Sequence, residues 1–199
     1  MTESVPQSAL DAEEPLASML QTLILQVGRL EARLVKLENK LLLLPDLDLY
    51  GQLQELLVAG QFKEADAETT RIILSTVGKK RDELSPEMIA NFPCTVLTVI
   101  DRLWRNASQN RFGFSVQLAI YQRAGGTIDT LRSQDRKVMR IFAEEVGWLV
   151  EGEVQFDTYD QWDFSLGAPQ GKFPAIWWKS PYGLKMVTFF FTRLLECNL

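Results

Sequence analysis

The chain contains no histidine. That absence removes His-based general-base chemistry, every Ser-His or Cys-His pair, most zinc sites and proximal-His haem ligation. Cysteine is almost missing too: Cys94 and Cys197 stand alone, too far apart in sequence for a metal motif. They read as reduced, buried thiols of a cytosolic protein, with a disulfide the less favoured option. No apolar run reaches the ~20 residues a spanning helix requires. There is no Walker loop and no dinucleotide fingerprint, since Gly125-Gly126 reads as a helix stop. The acidic N-terminus (Glu3, Asp11, Glu13, Glu14) lacks the basic start of a signal peptide and the Arg- and Ser-rich look of a transit peptide. A prokaryotic cytoplasm is therefore expected. The net charge of −5 argues against sequence-independent nucleic-acid binding. Carboxylates are plentiful, yet nothing pairs two of them into an acid/base site. Asp157, Asp160 and Asp163 lack the 12-residue calcium pattern and read as a solvated acidic loop. The expected protein is not an enzyme and binds no structural metal.

What is present begins with leucine. Leu16, Leu20, Leu23, Val27, Leu30, Leu34, Leu37, Leu41 and Leu44 alternate steps of four and three. That 3.5-residue period is the mark of a left-handed coiled coil. Arg33 and Glu38 fall at flanking positions that attract across a parallel pair. The expected division is a disordered tail at 1–15, a coiled-coil oligomerisation helix at 16–45 forming a homodimer, and a domain at 46–199. Pro45 ends the coiled coil.

Within the domain the periodicity is helical. Residues 46–59 place Leu49, Leu53, Leu56 and Leu57 inside; Gly60 stops them; residues 62–77 place Ala65, Thr69, Ile72, Ile73 and Thr76 on one side. Residues 78–84 read as a solvated charged loop. Ser85 opens a short helix with Pro86 in its first position, bringing Met88, Ile89 and Phe92 beside the next segment. That segment, residues 91–122, predicts two helices joined by a polar turn. Asn91 is a cap candidate, Pro93 suits a first turn, and Val96, Ile100, Leu103 and Ala107 repeat at helical spacing. Asp101 and Arg105 sit one turn apart on the expected outer face. Phe114, Leu118 and Tyr121 resume the stripe. One helix is expected over 130–146 with Val138, Ile141, Phe142 and Val146 inward, then a small hairpin in EGEVQF, then a last helix over 183–197.

Several runs carry a resemblance: GQFKEADAETTRIIL, FPCTVLTVIDRLW, NRFGFSVQLAIYQ, the VGW at 146–148 and FSLGAPQGKFPA. Together they resemble the tetrapyrrole-binding family called "genomes uncoupled four", over roughly residues 46–199. The resemblance implies an all-α fold with a cupped core, closed by the loop before the last helix. It implies binding of protoporphyrin IX or Mg-protoporphyrin IX, or in a paralogue a linear bilin. It implies a non-catalytic stimulator of magnesium chelatase acting with the chelatase H subunit in chlorophyll biosynthesis, of cyanobacterial type, with peripheral association to photosynthetic membranes. The pattern departs at Gly171-Lys172-Phe173-Pro174, where members tend to show Gly-His-Leu-Pro.

Residues 157–182 show little regular pattern but hold Trp162, Phe164, Phe173, Trp177, Trp178 and Tyr182. A structureless segment of about 25 residues in a compact domain is usually functional or disordered. Rings that each bury ~150–250 Å² must be tucked into the core, meet a partner, or close over a large flat ligand. The expected ligand-binding set is Met88, Ile89, Phe92, Arg111, Phe112, Trp162, Phe173, Trp177, Trp178, Tyr182 and Arg193, with Lys172, Lys179 and Lys185 as further partners for propionates. The expected lid is the loop 173–182, with Trp177 or Trp178 on the ring and Arg193 on a propionate. The competing readings are a bilin or porphyrin sensor or carrier coupled to a partner through the coiled coil, and a helical scaffold for protein contacts.

Overall fold

The computed structural model describes residues 19–35, 47–175 and 178–199. The backbone divides into two compact units, Met1–Pro45 and Asp46–Leu199. In the first unit residues 19–35 form helix α1. Its seam positions Leu20, Leu23, Val27, Leu30 and Leu34 are 50–58% exposed, and Ile24 and Leu25 beside them are more so. The expected tail at 1–15, and the seam leucines Leu16, Leu37, Leu41 and Leu44, lie outside the described residues. Among those described, no helix is long and apolar enough to cross a membrane.

The second unit is all-α apart from one small hairpin. Helices α2 (Leu47–Val58) and α3 (Phe62–Val77) form an antiparallel pair, its turn closed by Gly60 N–H to Leu57 O and Gln61 N–H to Leu56 O. A 3₁₀ turn (Arg81–Glu83) and the short α4 (Pro86–Ala90) lead into α5 (Cys94–Ala107) and α6 (Phe114–Arg123). Then come α7 (Ile128–Arg132), α8 (Arg136–Glu145) and strands β1 (Leu149–Val150) and β2 (Glu153–Val154), which pair antiparallel with Leu149 opposite Val154. A 3₁₀ segment (Gln155–Gln161) and an irregular stretch precede α9 (Leu184–Glu196).

Aromatic rings fill the interior. Trp104 of α5 is fully buried against Phe62, Phe112 and Phe173, at centroid distances of 6.0, 6.3 and 6.1 Å. Its indole N–H donates to Thr69 Oγ1 of α3 at 2.9 Å, which satisfies the one polar atom taken into the core. A second cluster joins Tyr121, Phe142, Trp148, Trp178 and Phe191, with Tyr121 stacked on Phe191 at 4.7 Å.

Five sequence expectations are corrected. Pro93, with extended backbone, caps α5 from outside it, and Asn91 ends α4 instead. Asp101 faces inward, only 2% exposed, because Ser115 at the start of α6 supplies it with a backbone N–H at 2.8 Å and a hydroxyl at 2.9 Å. Burial pushes its carboxyl above the usual carboxylate range, opposed by those bonds and by Arg105 at 3.7 Å. The helix expected over 130–146 breaks in two. Gln134 takes φ +52°, and the Asp135 carboxylate caps α8 by accepting from Lys137 and Val138 N–H. Ile141 stays exposed on α8. Cys94 and Cys197 are not free thiols: they form a disulfide with Cα atoms 5.3 Å apart. Packing of α9 on α4 and α5 places the residue after α9 over the first residue of α5. A separation of 103 residues hid that proximity from the sequence.

Candidate ligand-binding cleft

The stretch RFGFSVQ acts on backbone. Arg111 donates through Nη2 to Ala168 O at 2.7 Å, and its own carbonyl accepts from Gly171 N–H at 2.8 Å. Gly113 N–H donates to Phe173 O at 2.9 Å. The Gln117 amide, fully buried, donates to Gly171 O at 3.0 Å and Pro174 O at 2.8 Å. Trp148 adds an indole bond to Lys172 O at 2.9 Å. Three side chains, Arg111, Gln117 and Trp148, thus hold residues 168–174 in one path, with a cis peptide before Pro174. Two glycines are required by contact. A β-carbon at Gly113, whose φ is +139°, would meet Asp101 Oδ1 at 2.7 Å; one at Gly171, φ +74°, would meet Ile120 Cδ1 at 2.5 Å.

Asp66 extends this grip to the other end of the irregular stretch. Buried in α3, it accepts Ala175 N–H on Oδ1 and the Tyr159 hydroxyl on Oδ2, both at 2.8 Å. Burial, and then the Asp66 carboxylate, hold the Tyr159 hydroxyl protonated well above the ordinary tyrosine range. With Tyr159 fixed, the 3₁₀ segment Gln155–Gln161 stands as a wall. Opposite it lie α3 and the 3₁₀ turn Arg81–Glu83, and between them opens a cleft of about 820 Å³. Its lining includes the rings of Phe156 and Tyr159, three cationic side chains, Lys63, Arg81 and Lys179, and three carboxylates, Glu64, Asp157 and Asp160. Lys179 belongs to the stretch just before α9. Aromatic faces beside cations suit a large flat anion better than a small polar substrate.

The family profile described as GUN4-like matches residues 46–186. The chain belongs to the GUN4-like family. Two solved structures share its fold. Ligand-free GUN4 of Arabidopsis thaliana matches at 23% identity and TM-score 0.56, covering 72% of this chain and 91% of that chain. GUN4 of Chlamydomonas reinhardtii matches at 24% identity and TM-score 0.53, covering 72% and 87%. No curated protein matches the chain.

Within this GUN4-like domain the expected binding residues separate into groups. Phe112 and Phe173 are core rings, in contact at 5.2 Å; Phe173 also meets Trp162, which is half-buried. Ile89 and Phe92 are buried at the α4 end, and Met88 is half-buried beside them. Arg193 donates to Phe92 O at 2.8 Å and to Glu196 at 2.9 Å, on a smaller groove of about 330 Å³ between α4 and α9. Arg111 is committed to the backbone, as above. Trp178 is 7% exposed and packs on Trp148, Phe190 and Phe191, so it is core rather than the outward face of a lid. Tyr182 is exposed, and Trp177 lies outside the described residues. Lys172 is buried with its ammonium 4.3 Å over Trp162; burial pushes its pKa down, with Asp163 opposing. Lys185 pairs with Glu87 at 2.8 Å. Of the expected cations only Lys179 lines the large cleft. Sequence reasoning missed Lys63, Arg81, Phe156 and Tyr159. The available signal was cations in FKEAD and GKKRDE facing the ring-bearing QFDTYD, but each run by itself reads as a solvated surface.

Proposed function

We propose that this GUN4-like domain is a non-enzymatic tetrapyrrole-binding regulator, and that the cleft between α3 and the Gln155–Gln161 segment takes the ligand. The observation that carries the reading is the lining: two aromatic rings and three cationic side chains, interleaved with Glu64, Asp157 and Asp160, around about 820 Å³. A porphyrin presents a broad apolar disc and two propionates. Phe156 and Tyr159 suit the disc, and Lys63, Arg81 and Lys179 suit the propionates, Arg being able to fork onto a carboxylate. Protoporphyrin IX and Mg-protoporphyrin IX are the ligands proposed, and the magnesium chelatase H subunit is the partner proposed through family membership. With no histidine in the chain, a bound metalloporphyrin keeps its metal without an imidazole ligand. Of the two lid residues expected from sequence, Trp177 or Trp178, Trp178 lies in the core and Trp177 remains a proposal.

An absorbance and Trp-fluorescence titration with protoporphyrin IX, Mg-protoporphyrin IX and biliverdin tests binding; a flat response to all of them defeats the reading. Capture of the chelatase H subunit on the immobilised full chain tests the partner. One observation favours a second reading: the exposed apolar seam of α1 suits self-association, which a sensor or carrier coupled through a coiled coil requires. Binding of a bilin or porphyrin without H-subunit capture selects that reading. Absence of any tetrapyrrole binding leaves the helical scaffold.

A further inference from the structure

Two lysines of the cleft already hold carboxylates. Lys63 Nζ lies 2.8 Å from Asp160 Oδ1, and Lys179 Nζ lies 2.9 Å from Asp157 Oδ1. Lys63 comes from α3 and Lys179 from the stretch before α9, yet both carboxylates come from the one segment Gln155–Gln161 that forms the facing wall. Between them Tyr159 is fixed to buried Asp66 at 2.8 Å. Thr158, with φ −103° and ψ 20°, departs from helical backbone there. The two carboxylates are 90% and 85% exposed, so they are held by the lysines rather than by packing.

We propose that Asp157 and Asp160 set the ligand selectivity of this cleft by standing where a ligand's carboxylates would stand. This rests on the reading that the cleft takes a tetrapyrrole. A flat aromatic ligand with two carboxylates replaces both aspartates, so each lysine exchanges one exposed ion pair for another and little electrostatic energy changes hands. A neutral flat ligand of the same size has nothing to offer the lysines and gains only ring contact. The internal carboxylates therefore lower affinity for the dicarboxylate while leaving a neutral analogue untouched. They also make dicarboxylate binding almost insensitive to salt, because the number of ion pairs is conserved.

The test uses the full chain, with protoporphyrin IX and its dimethyl ester titrated in the same dilute-detergent buffer. Asp157→Asn with Asp160→Asn should tighten the diacid by roughly two- to thirtyfold, the range two exposed ion pairs can carry, and leave the ester unchanged. The same variant should show a steeper loss of diacid affinity with salt than the wild type. Adding Lys63→Met and Lys179→Met to the double Asn variant should remove the diacid's gain over the ester. Unchanged diacid affinity and salt slope in the double Asn variant overturn the selectivity role while tetrapyrrole binding stands. If neither protein binds the diacid or the ester, the cleft reading falls and this proposal falls with it.

Discussion

Cutting the Cys94–Cys197 bridge isolates one tie between α5 and α9 from the packing around it. The bridge spans a sequence separation of 103 residues. Closing a loop of about 100 residues removes chain entropy from the unfolded state worth about 4.7 kcal/mol, and removing a native disulfide costs ~2–5 kcal/mol. For a unit of this size each kcal/mol moves the melting temperature by about 2–4 °C, so reduction should lower it by roughly 4–20 °C. Helix α9 should nonetheless stay docked at room temperature. Phe190, Phe191 and Leu194 are buried to 1% exposure or less, Arg193 still donates to Phe92 O, and Lys185 still pairs with Glu87. The assay is calorimetry with far-UV circular dichroism on oxidised protein, protein held in excess dithiol, and Cys94→Ser with Cys197→Ser. Native oxidised protein should give no titratable thiol. The dithiol-treated and double-Ser forms should melt together, below the oxidised form, from the same starting ellipticity. Free thiols in the native protein, or melting curves that coincide in all three, would refute the argument.

Trp104→Ala should cost about 3–5 kcal/mol of unfolding free energy, since it empties the core contact of three rings and leaves the Thr69 hydroxyl without its indole donor; a urea midpoint near wild type contradicts the central place given to that ring. Gly113→Ala should cost about 1–3 kcal/mol or more, because φ +139° disfavours a side chain and Asp101 Oδ1 stands 2.7 Å from the added carbon; chemical denaturation measures it. The bond from Lys185, with help from the local backbone and Ser85, pulls the Glu87 carboxyl from the ordinary glutamate range to about 2. Its stabilising contribution is therefore present above the ordinary glutamate pKa of about 4.3 and lost as pH falls toward 2. Glu87→Gln should flatten that acid limb of a stability-versus-pH curve at low salt, and identical curves would remove the role given to this pair. Leu23→Glu with Leu30→Glu places charges on the exposed α1 seam and should convert a proposed dimer to monomers in light scattering; a monomeric wild type at tens of micromolar ends the dimer proposal.

Local chemistry was legible and long-range chemistry was not. Periodicity and breakers gave α2, α3, α4 with Pro86 in its first position, the α5–α6 pair, the β1–β2 hairpin and α9, because each depends on residues within a few turns. The α7–α8 break was hidden because the left-handed residue there is Gln134, which carries no glycine signal; Asp135 as a cap was the only clue. Asp101 looked outward because its partner Ser115 lies across a turn on another helix. The disulfide and the cleft fail for the same reason. Lys63, Arg81, Asp157, Asp160 and Lys179 come from separate segments, and a solvated reading of each is correct until the fold brings them to one place.

The residues that betray the family and those proposed to choose the ligand are largely different, and this decides how far the resemblance reaches. Arg111, Gly113 and Gln117 spend their hydrogen bonds on the backbone of Ala168, Gly171, Phe173 and Pro174, and Asp66 holds Ala175 and Tyr159. Those contacts say where the irregular stretch runs, not what it covers. The departure at Lys172 obeys the same logic. Its carbonyl takes the Trp148 indole bond through backbone atoms any residue would supply, and its ammonium rests on Trp162 outside the large cleft. Lys172 therefore contributes to the packing under Trp162 and not to the cations that line the cleft. On the proposed reading, ligand choice in this chain would turn on Lys63, Arg81 and Lys179 and on the carboxylates facing them. Of these only Lys63 falls within a stretch that carries the resemblance. Two chains could share the whole clamp and still select different tetrapyrroles through a few charges on the Gln155–Gln161 wall.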